Sequence, residues 1–297
     1  VLHWLSWRFL FVVNAPIGVI GAYLAHTRLP RGVPQKPANL DVLGLSLLAP
    51  GVGLFTFAVA THNFTWPLAC AAVLITVFVL DARRRPESAL LDLRIFKNPV
   101  LGAALVTFLL TSIASFGAQL ILPLYYQRVR GESALVAGLL LAPQGLGMLV
   151  TLPQVGRLTD RFGPGKIVVV GVVTTIAGTI AFTFVDATTP YWLLCLALVV
   201  RGAGLGATNT PALAAAYRRV ERSEIANTTT AINIVQRLGA PLGTATLALA
   251  LQQFVASSSS LSDAYAHTFA VALASSTLAL GAALFLFRHE HRHEKGP

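Results

Sequence analysis

Charged side chains are scarce in this sequence of 297 residues. Only 11% of the residues are Asp, Glu, Lys or Arg, whereas 55% are hydrophobic, and soluble globular proteins average about 25% charged residues. So few charges are too few to cover the outside of a soluble fold of this size. The composition therefore excludes a soluble globular enzyme and a disordered chain, and it indicates a protein that crosses a membrane several times.

Cysteine and methionine are nearly absent as well. The two cysteines, Cys70 and Cys195, lie inside apolar runs, where we expect small buried side chains and neither a disulfide framework nor a metal site. The sole methionine is Met148, and the sequence begins at Val1 without a visible signal peptide. We therefore expect that the natural chain starts further upstream.

Long apolar runs dominate what is present. A helix that crosses a bilayer needs about 20 mostly apolar residues, and nine runs meet that requirement. They are too long for barrel strands and lack strict alternation, so the sequence predicts an all-α polytopic membrane protein with nine transmembrane helices. The runs are 8–26, 42–61, 65–82, 100–125, 134–156, 167–185, 191–213, 226–251 and 266–287.

The basic residues are distributed unevenly between the two sides of these runs. Of the 22 Lys and Arg residues, 17 follow the odd-numbered runs, 3 lie on the other side, and Arg201 and Arg237 fall inside runs. Basic loops stay in the cytoplasm, so we expect a multi-pass protein of the cell membrane with an outer N-terminus and a cytoplasmic C-terminus. The same distribution explains the net charge of +10 without a nucleic-acid partner.

The connection between the fifth and sixth runs carries a distinctive pattern. Gly156 is expected to let a helix end approach its neighbour closely, and Gly163 to take a positive φ in a tight turn. Asp160 is expected just before the sixth helix, where its charge meets the positive end of the helix dipole. An ordinary basic loop explains the Lys and Arg residues of this stretch, but not the spacing of its glycines and aspartate.

This stretch resembles the G-x-L-x-D-R-x-G signature of the major facilitator superfamily. The usual basic pair after the last glycine is replaced by Pro164-Gly165. The resemblance makes the stretch a candidate conformational-switch loop, whose residues are Gly156, Leu158, Asp160, Arg161, Gly163 and Lys166.

The beginning of the sequence carries a second resemblance. Trp7-Arg8-Phe9, followed by Asn14-Ala15-Pro16-Ile17-Gly18, is similar to the W-R-x-x-F-x-x-N-x-P-x-G signature of the fourteen-helix drug:proton antiporter branch, the EmrB/QacA type, and Asp41-Val42-Leu43-Gly44 is similar to the same branch. The resemblance implies that about five helices precede this chain. It divides the chain into the last helix of an N-terminal bundle (1–30), a two-helix linker region (31–98) and a complete C-terminal six-helix transporter bundle (99–297).

The resemblance implies a secondary active transporter that exports drugs or amphipathic metabolites by alternating access, coupled to protons. Its partners would be the lipid bilayer, a small amphipathic substrate, the proton as coupling ion and the missing N-terminal bundle, with no cofactor. One alternative is a membrane scaffold or receptor that does not transport. Another is a membrane-embedded enzyme, which would need clustered intramembrane His, Asp, Glu or Cys residues; the runs hold no such cluster, so we expect no enzyme.

Polar side chains inside the runs indicate where a cavity would form. No Asp, Glu or Lys lies near the centre of any run, whereas amide side chains recur in the fourth, fifth, seventh and eighth runs. We expect these four helices to line a cavity, because a polar group at bilayer depth must face protein or water. For each residue, a hydrogen bond between helices is as plausible as substrate contact. The candidates are Phe116, Gln119, Gln144, Arg201 and Asn209.

Small residues in the seventh and eighth runs mark candidate contact and hinge positions. Gly202 and Gly206 are spaced for close helix contact. Pro241 removes a helix hydrogen bond and predicts a bend, flanked by Gly239 and Gly243. Arg237 is expected to extend its charged end toward the cytoplasm, whereas Arg201 is either a counterpart of the coupling arginine found in the other half of such transporters or a structural arginine.

Overall fold

A computed structural model describes residues 14–28, 41–61, 65–85, 98–217 and 225–294. Within these ranges the chain forms nine α-helices and one short 3-10 helix, and no strand. The α-helices are α1 (Asn14–Arg28), α2 (Val42–Thr61), α3 (Trp66–Arg84), α4 (Pro99–Arg128), α5 (Ala134–Phe162), α6 (Pro164–Ile180), α7 (Tyr191–Tyr217), α8 (Ile225–Ser257) and α9 (Leu261–Glu294), and the 3-10 helix is Ala181–Phe184.

Seven of these helices are long and apolar enough to cross a membrane, namely α3 to α9, with the 3-10 helix continuing α6. The chain divides into two units, Val1–Leu40 and Asp41–Pro297. Helix α1 belongs to the first unit, and only its 15 residues are described there. Helix α2 contains a shorter apolar segment, Val42–Ala58. The all-helical prediction is therefore confirmed for the described residues, and seven of the nine predicted spans meet the length and hydropathy criteria.

Several helices extend beyond the apolar runs that predicted them. Helix α5 continues to Phe162 rather than ending at residue 156, and α8 and α9 leave only residues 258–260 between them. The Ser260 hydroxyl accepts a hydrogen bond of 3.1 Å from the Asp263 amide in the first turn of α9. Hydropathy reports how deep a residue lies in the bilayer, whereas a helix ends where its backbone hydrogen bonds end.

Two long helices, α4 and α7, form the centre of the second unit. Helix α7 packs against α5 and α6, α4 packs against α8 and α9, and α4 also contacts α7. On the outside of the bundle, α6 packs against α9. The α2–α3 pair contacts the bundle through α8. Apolar side chains fill two clusters along the bundle.

Glycines permit the closest crossings in this bundle. A Cβ atom built at Gly202 of α7 would overlap the backbone of Gln144 in α5, and one built at Gly243 of α8 would overlap the backbone of Ile113 in α4. Such backbone contact maximises van der Waals attraction between helices that share an apolar solvent. Of the two glycines expected at a close helix contact, Gly202 lies at one, whereas Gly206 meets only ordinary contacts with Met148, at 3.5 Å. Gly239, which lies against Ser112, and Gly243 also lie at close contacts.

The cysteines differ from the expectation of burial. Cys195 is half-buried, and Cys70 is exposed on α3. An apolar run in a membrane protein can face lipid as well as protein, so its hydropathy does not decide which side chains become buried.

Candidate functional site

A cavity of about 270 Å³ lies among α4, α5, α7 and α8. None of its lining residues is ionisable, and most carry hydroxyl or amide groups beside a few apolar side chains. Polar groups of this kind orient an amphipathic ligand within an apolar surround. The lining residues are Thr111, Ser112, Ser115, Phe116, Gln119, Gln144, Met148, Leu205, Asn209 and Gln236.

Four of the five candidate cavity residues, Phe116, Gln119, Gln144 and Asn209, line this cavity. The walls come from the four helices that the amide side chains had indicated. Contact of these residues with a substrate stays a prediction. The expected bend at Pro241 also stays a prediction, and Arg237 is exposed on α8.

Sequence reasoning missed several members of the α4 wall. The missed Ser112 and Ser115 share a helix face with the predicted Phe116 and Gln119, because residues separated by three, four and seven positions lie on one side of a helix. The spacing back from Gln119 was therefore a usable signal. Thr111 is also on this wall, and its buried hydroxyl oxygen has no hydrogen-bond partner among the described residues.

Arg201 lies behind the cavity rather than on its surface. The side chain is 2% exposed, its Nη1 donates to Oε1 of Gln144 at 2.8 Å, and its Nη2 donates to the carbonyl oxygen of Ala114 at 3.2 Å. Within the described residues no carboxylate forms an ion pair with Arg201. Arg201 therefore ties α7 to α4 and α5 through neutral acceptors.

Close packing of α5 on α7 creates this arrangement. Because Gly202 has no side chain, the backbone of Gln144 approaches α7 one residue away from Arg201. A buried charge in an apolar surround is costly and persists where hydrogen bonds compensate it. The glycine thus brings the compensating amide within reach of the guanidinium.

The stretch predicted as a conformational-switch loop is mostly helical. Asp160 lies in the last turn of α5, not just before α6, because α5 continues to Phe162 and α6 begins at Pro164. Contact of the Asp160 carboxylate with the positive end of the α6 dipole stays a prediction. Gly163 does take a positive φ, +83°, and its amide donates to the Thr159 carbonyl oxygen at 3.0 Å.

The remaining residues of this stretch lie on the surface of the described chain. Leu158 and Lys166 are exposed, and the Arg161 guanidinium lies 5.2 Å from the Phe162 ring centroid. A Cβ atom at Gly156 would meet no atom within 4 Å, so the close helix approach expected there does not occur among the described residues. A switching role for the stretch stays a prediction.

A polar cluster that sequence reasoning missed joins the α4–α5 connection to the α6–α7 connection. Arg130 donates to the carbonyl oxygen of Thr189 at 2.8 Å, and its guanidinium lies 4.2 Å from the ring centroid of Tyr191. The Tyr191 hydroxyl donates to the Glu132 carboxylate. These contacts rigidify one end of α4 and α7 through groups far apart in the sequence.

Asp186 belongs to the same end of the bundle. Its carboxylate accepts from the hydroxyls of Thr189 and Thr188, at 2.8 and 2.9 Å, and from the Thr188 amide at 2.7 Å. These hydrogen bonds favour the ionised form and hold the pKa of Asp186 below its ordinary value. The largest contributions come from the side chains of Thr189 and then Thr188. The Asp186 carbonyl oxygen also accepts a 2.6 Å hydrogen bond from the Tyr125 hydroxyl of α4.

Comparison with known families and curated proteins supports a transport role for this architecture. The sequence model described as Major Facilitator Superfamily matches residues 1–244. A multidrug resistance protein B homolog of Mycobacterium tuberculosis is 35% identical over 257 residues, which cover 83% of this chain and 48% of that protein. The drug efflux pump JefA of the same species is 28% identical over 253 residues, covering 82% and 49% of the two chains. The chain thus spans about half the length of the curated relatives it matches.

A solved structure agrees on the fold. The crystal structure of the nucleoside transporter NupG matches 82% of this chain and 64% of its own, with a TM-score of 0.54 and 15% sequence identity. At this identity the similarity concerns the helical architecture alone.

Proposed function

The chain belongs to the major facilitator superfamily, which makes it a transporter rather than an enzyme, and from that premise we propose that it takes part in the proton-coupled export of small amphipathic molecules. The observation that carries this is the cavity among α4, α5, α7 and α8, where neutral polar groups lie within long apolar helices. Midplane cavities between helices are where secondary transporters bind substrate. Similarity to multidrug resistance and drug efflux proteins favours export of drug-like molecules.

We further propose that the cavity is one wall of a larger pathway. It is smaller than the 300–1,000 Å³ or so that encloses a drug-sized ligand, and helices α5 and α8 leave most of their surface uncovered. A second six-helix bundle, as in the fourteen-helix antiporter branch, would supply the opposite wall. The proton-accepting carboxylate would lie in that bundle, because the described lining residues include no carboxylate.

The orientation belongs to the same proposal. The uneven distribution of Lys and Arg favours a cytoplasmic C-terminus and a multi-pass location in the cell membrane. A C-terminal epitope tag is then expected to be protected from protease in intact spheroplasts and cleaved in inverted vesicles. Cleavage in intact spheroplasts would reverse the orientation.

Transport itself is tested in proteoliposomes that contain the full-length protein and an imposed proton gradient. Fluorescent amphipathic dyes are expected to move against their concentration gradient, with a stoichiometric alkalinisation or acidification reported by a trapped pH indicator. Gln119→Ala is expected to reduce the flux, whereas Gln154→Ala, on the same bundle but away from the cavity lining, is expected to leave it unchanged. Flux that persists after collapse of the proton gradient contradicts coupling, and absence of flux for every dye contradicts the transport function.

A further inference from the structure

Gln144 connects the buried arginine to the cavity. Its Oε1 accepts the hydrogen bond from Arg201 at 2.8 Å, and the same side chain forms part of the cavity wall. A guanidinium carries only donors, so the atom of Gln144 that faces it is the oxygen. The guanidinium therefore requires this orientation of the Gln144 amide. The amide nitrogen, with two N–H groups, is the remaining polar end.

That amide nitrogen makes no hydrogen bond with any other described residue, whereas the amide nitrogen of Gln154 on the same helix donates to the Val150 carbonyl oxygen at 3.3 Å. Donors at a cavity wall that lack a protein partner are free to bind a ligand. Gln144 therefore presents donors, not acceptors, at its part of the wall.

Arg201 holds this polarity in place. It is almost fully buried, and its second hydrogen bond, to the Ala114 carbonyl oxygen, fixes the guanidinium against α4. Rotation of the Gln144 amide by half a turn would set N–H groups against the guanidinium and break the 2.8 Å bond. The arginine is thus a positioning residue for Gln144 and does not itself reach the cavity surface.

The same arginine sets the sign of the local charge. The lining of the cavity contains no ionisable side chain, so the nearest full charge behind Gln144 is positive. Charges act over longer distances within an apolar interior than in water. An acceptor or an anion at Gln144 is stabilised by both the N–H dipoles and this charge, whereas a cation is repelled.

We propose that Gln144, oriented by Arg201, is a donor subsite that binds the carbonyl or carboxylate group of an amphipathic substrate and disfavours cationic amphiphiles. This names the substrate class of the cavity and rests on the transport function proposed above. The volume of about 270 Å³ suits the polar group of a substrate with part of its apolar body.

A matched pair of probes tests the subsite. Dansylglycine and dansylcadaverine share one fluorophore; the first carries a carboxylate and the second an ammonium group on a longer apolar chain, which by itself would favour binding of the second. Binding is measured by fluorescence titration of the full chain in phosphatidylcholine nanodiscs, with empty nanodiscs subtracted, since this lipid has no net charge. We expect dansylglycine to bind about tenfold more tightly, the effect of one charge-assisted hydrogen bond.

Gln144→Glu replaces the hydrogen-bond donors at this part of the cavity wall with acceptors, because its carboxylate pairs with Arg201 and presents acceptors only. The ratio of the two affinities is expected to fall to one or below. Gln154→Glu makes the same substitution on the same helix outside the cavity lining and is expected to keep the tenfold ratio. Arg201→Lys keeps the positive charge but cannot make both hydrogen bonds of the guanidinium. It is expected to lower the affinity ratio, as Gln144→Glu does. Agreement between the two variants means that the result does not depend on misfolding of one of them. Elution from size-exclusion chromatography checks folding.

Equal affinities in the wild type, binding of neither probe, or an unchanged ratio in Gln144→Glu would overturn the subsite. Proton-driven flux of both dyes at equal rates in proteoliposomes would also overturn it while leaving the transport function in place. Conversely, absence of flux with the binding preference intact would remove the transport function and leave the subsite.

Discussion

Helices α4 and α5 are nearly equal in length and in hydropathy, yet they occupy different environments. They have 30 and 29 residues, and the mean hydropathy of their most apolar stretches is 2.0 and 1.9. In the structure 56% of that stretch of α4 is buried, against 11% for α5. Helix α4 is enclosed by α7, α8 and α9, whereas α5 packs mainly on α7. Substitutions in α4 should therefore change the stability of the fold, whereas those in α5 should change the function of its uncovered surface.

The largest effect is expected from a glycine in the enclosed helix. A Cβ atom at Gly117 would overlap the Leu247 side chain and lie 2.7 Å from the Gly243 carbonyl oxygen, whereas one at Gly138 of α5 would meet nothing within 4 Å. Gly117→Leu should cost about 3 kcal/mol or more, because a helix backbone yields less than a side chain. Gly138→Leu should be close to neutral. Tm and monodispersity in detergent compare the two variants, and equal losses would mean that α5 is as enclosed as α4.

The end of α5 is expected to matter for transport and not for stability. Asp160→Asn should abolish export by the full-length protein, because the acid belongs to the candidate switch stretch, while membrane insertion and Tm stay unchanged. Asp263→Asn, at the start of α9, is the matched control and should export normally. Dye efflux from cells gives the readout, and wild-type efflux by Asp160→Asn would remove the switching role of the stretch.

Gln144 is the residue through which the mostly uncovered helix α5 is expected to contribute to stability. Gln144→Leu removes the acceptor from a buried guanidinium, which should lower the free energy of unfolding by about 2–3 kcal/mol. Gln154→Leu, with its amide bonded only to its own helix, should change it by less than about 0.5 kcal/mol. Denaturation in mixed micelles measures both, and similar values would show that Arg201 draws little stability from the amide.

The smallest effect is expected at the Asp186 turn near the end of α4. The pKa of Asp186 is lowered, so its ionised form stabilises the fold above the unfolded pKa, and this contribution is lost as pH falls through the folded pKa. Thr189→Val removes a hydroxyl from the carboxylate and should lower Tm slightly at pH 6. The part of this difference that depends on ionised Asp186 should shrink as pH falls below about 4 and disappear once pH is below the lowered pKa of Asp186. Thr183→Val removes a hydroxyl bonded only to the Ile180 carbonyl oxygen and should show no such pH dependence.

Prediction from the sequence was accurate for the all-helical fold of the described residues. Mid-span amides are costly in lipid, and therefore their positions indicated the four cavity helices before any contact was known. Prediction was less accurate at helix ends, as Asp160 and the stretch between the eighth and ninth runs illustrate, because hydropathy falls where polar residues begin although the helix continues through them. It also missed the Arg130–Tyr191 cluster, since its partners are about 60 positions apart.

Composition and hydropathy by themselves determined that this protein crosses a membrane, that it is helical and roughly where its long helices lie. They could do so because the free energy of transfer of a segment from water to an apolar phase depends on the sequence of that segment alone. The motifs also pointed to the family. Only the tertiary structure decided that α4 is enclosed while α5 is open, and that Arg201 meets Gln144 and not a lipid or a carboxylate. Lipid and protein interior are equally apolar, so hydropathy does not distinguish them; contact between helices depends on which glycines meet which backbones, and that is a property of the assembled bundle.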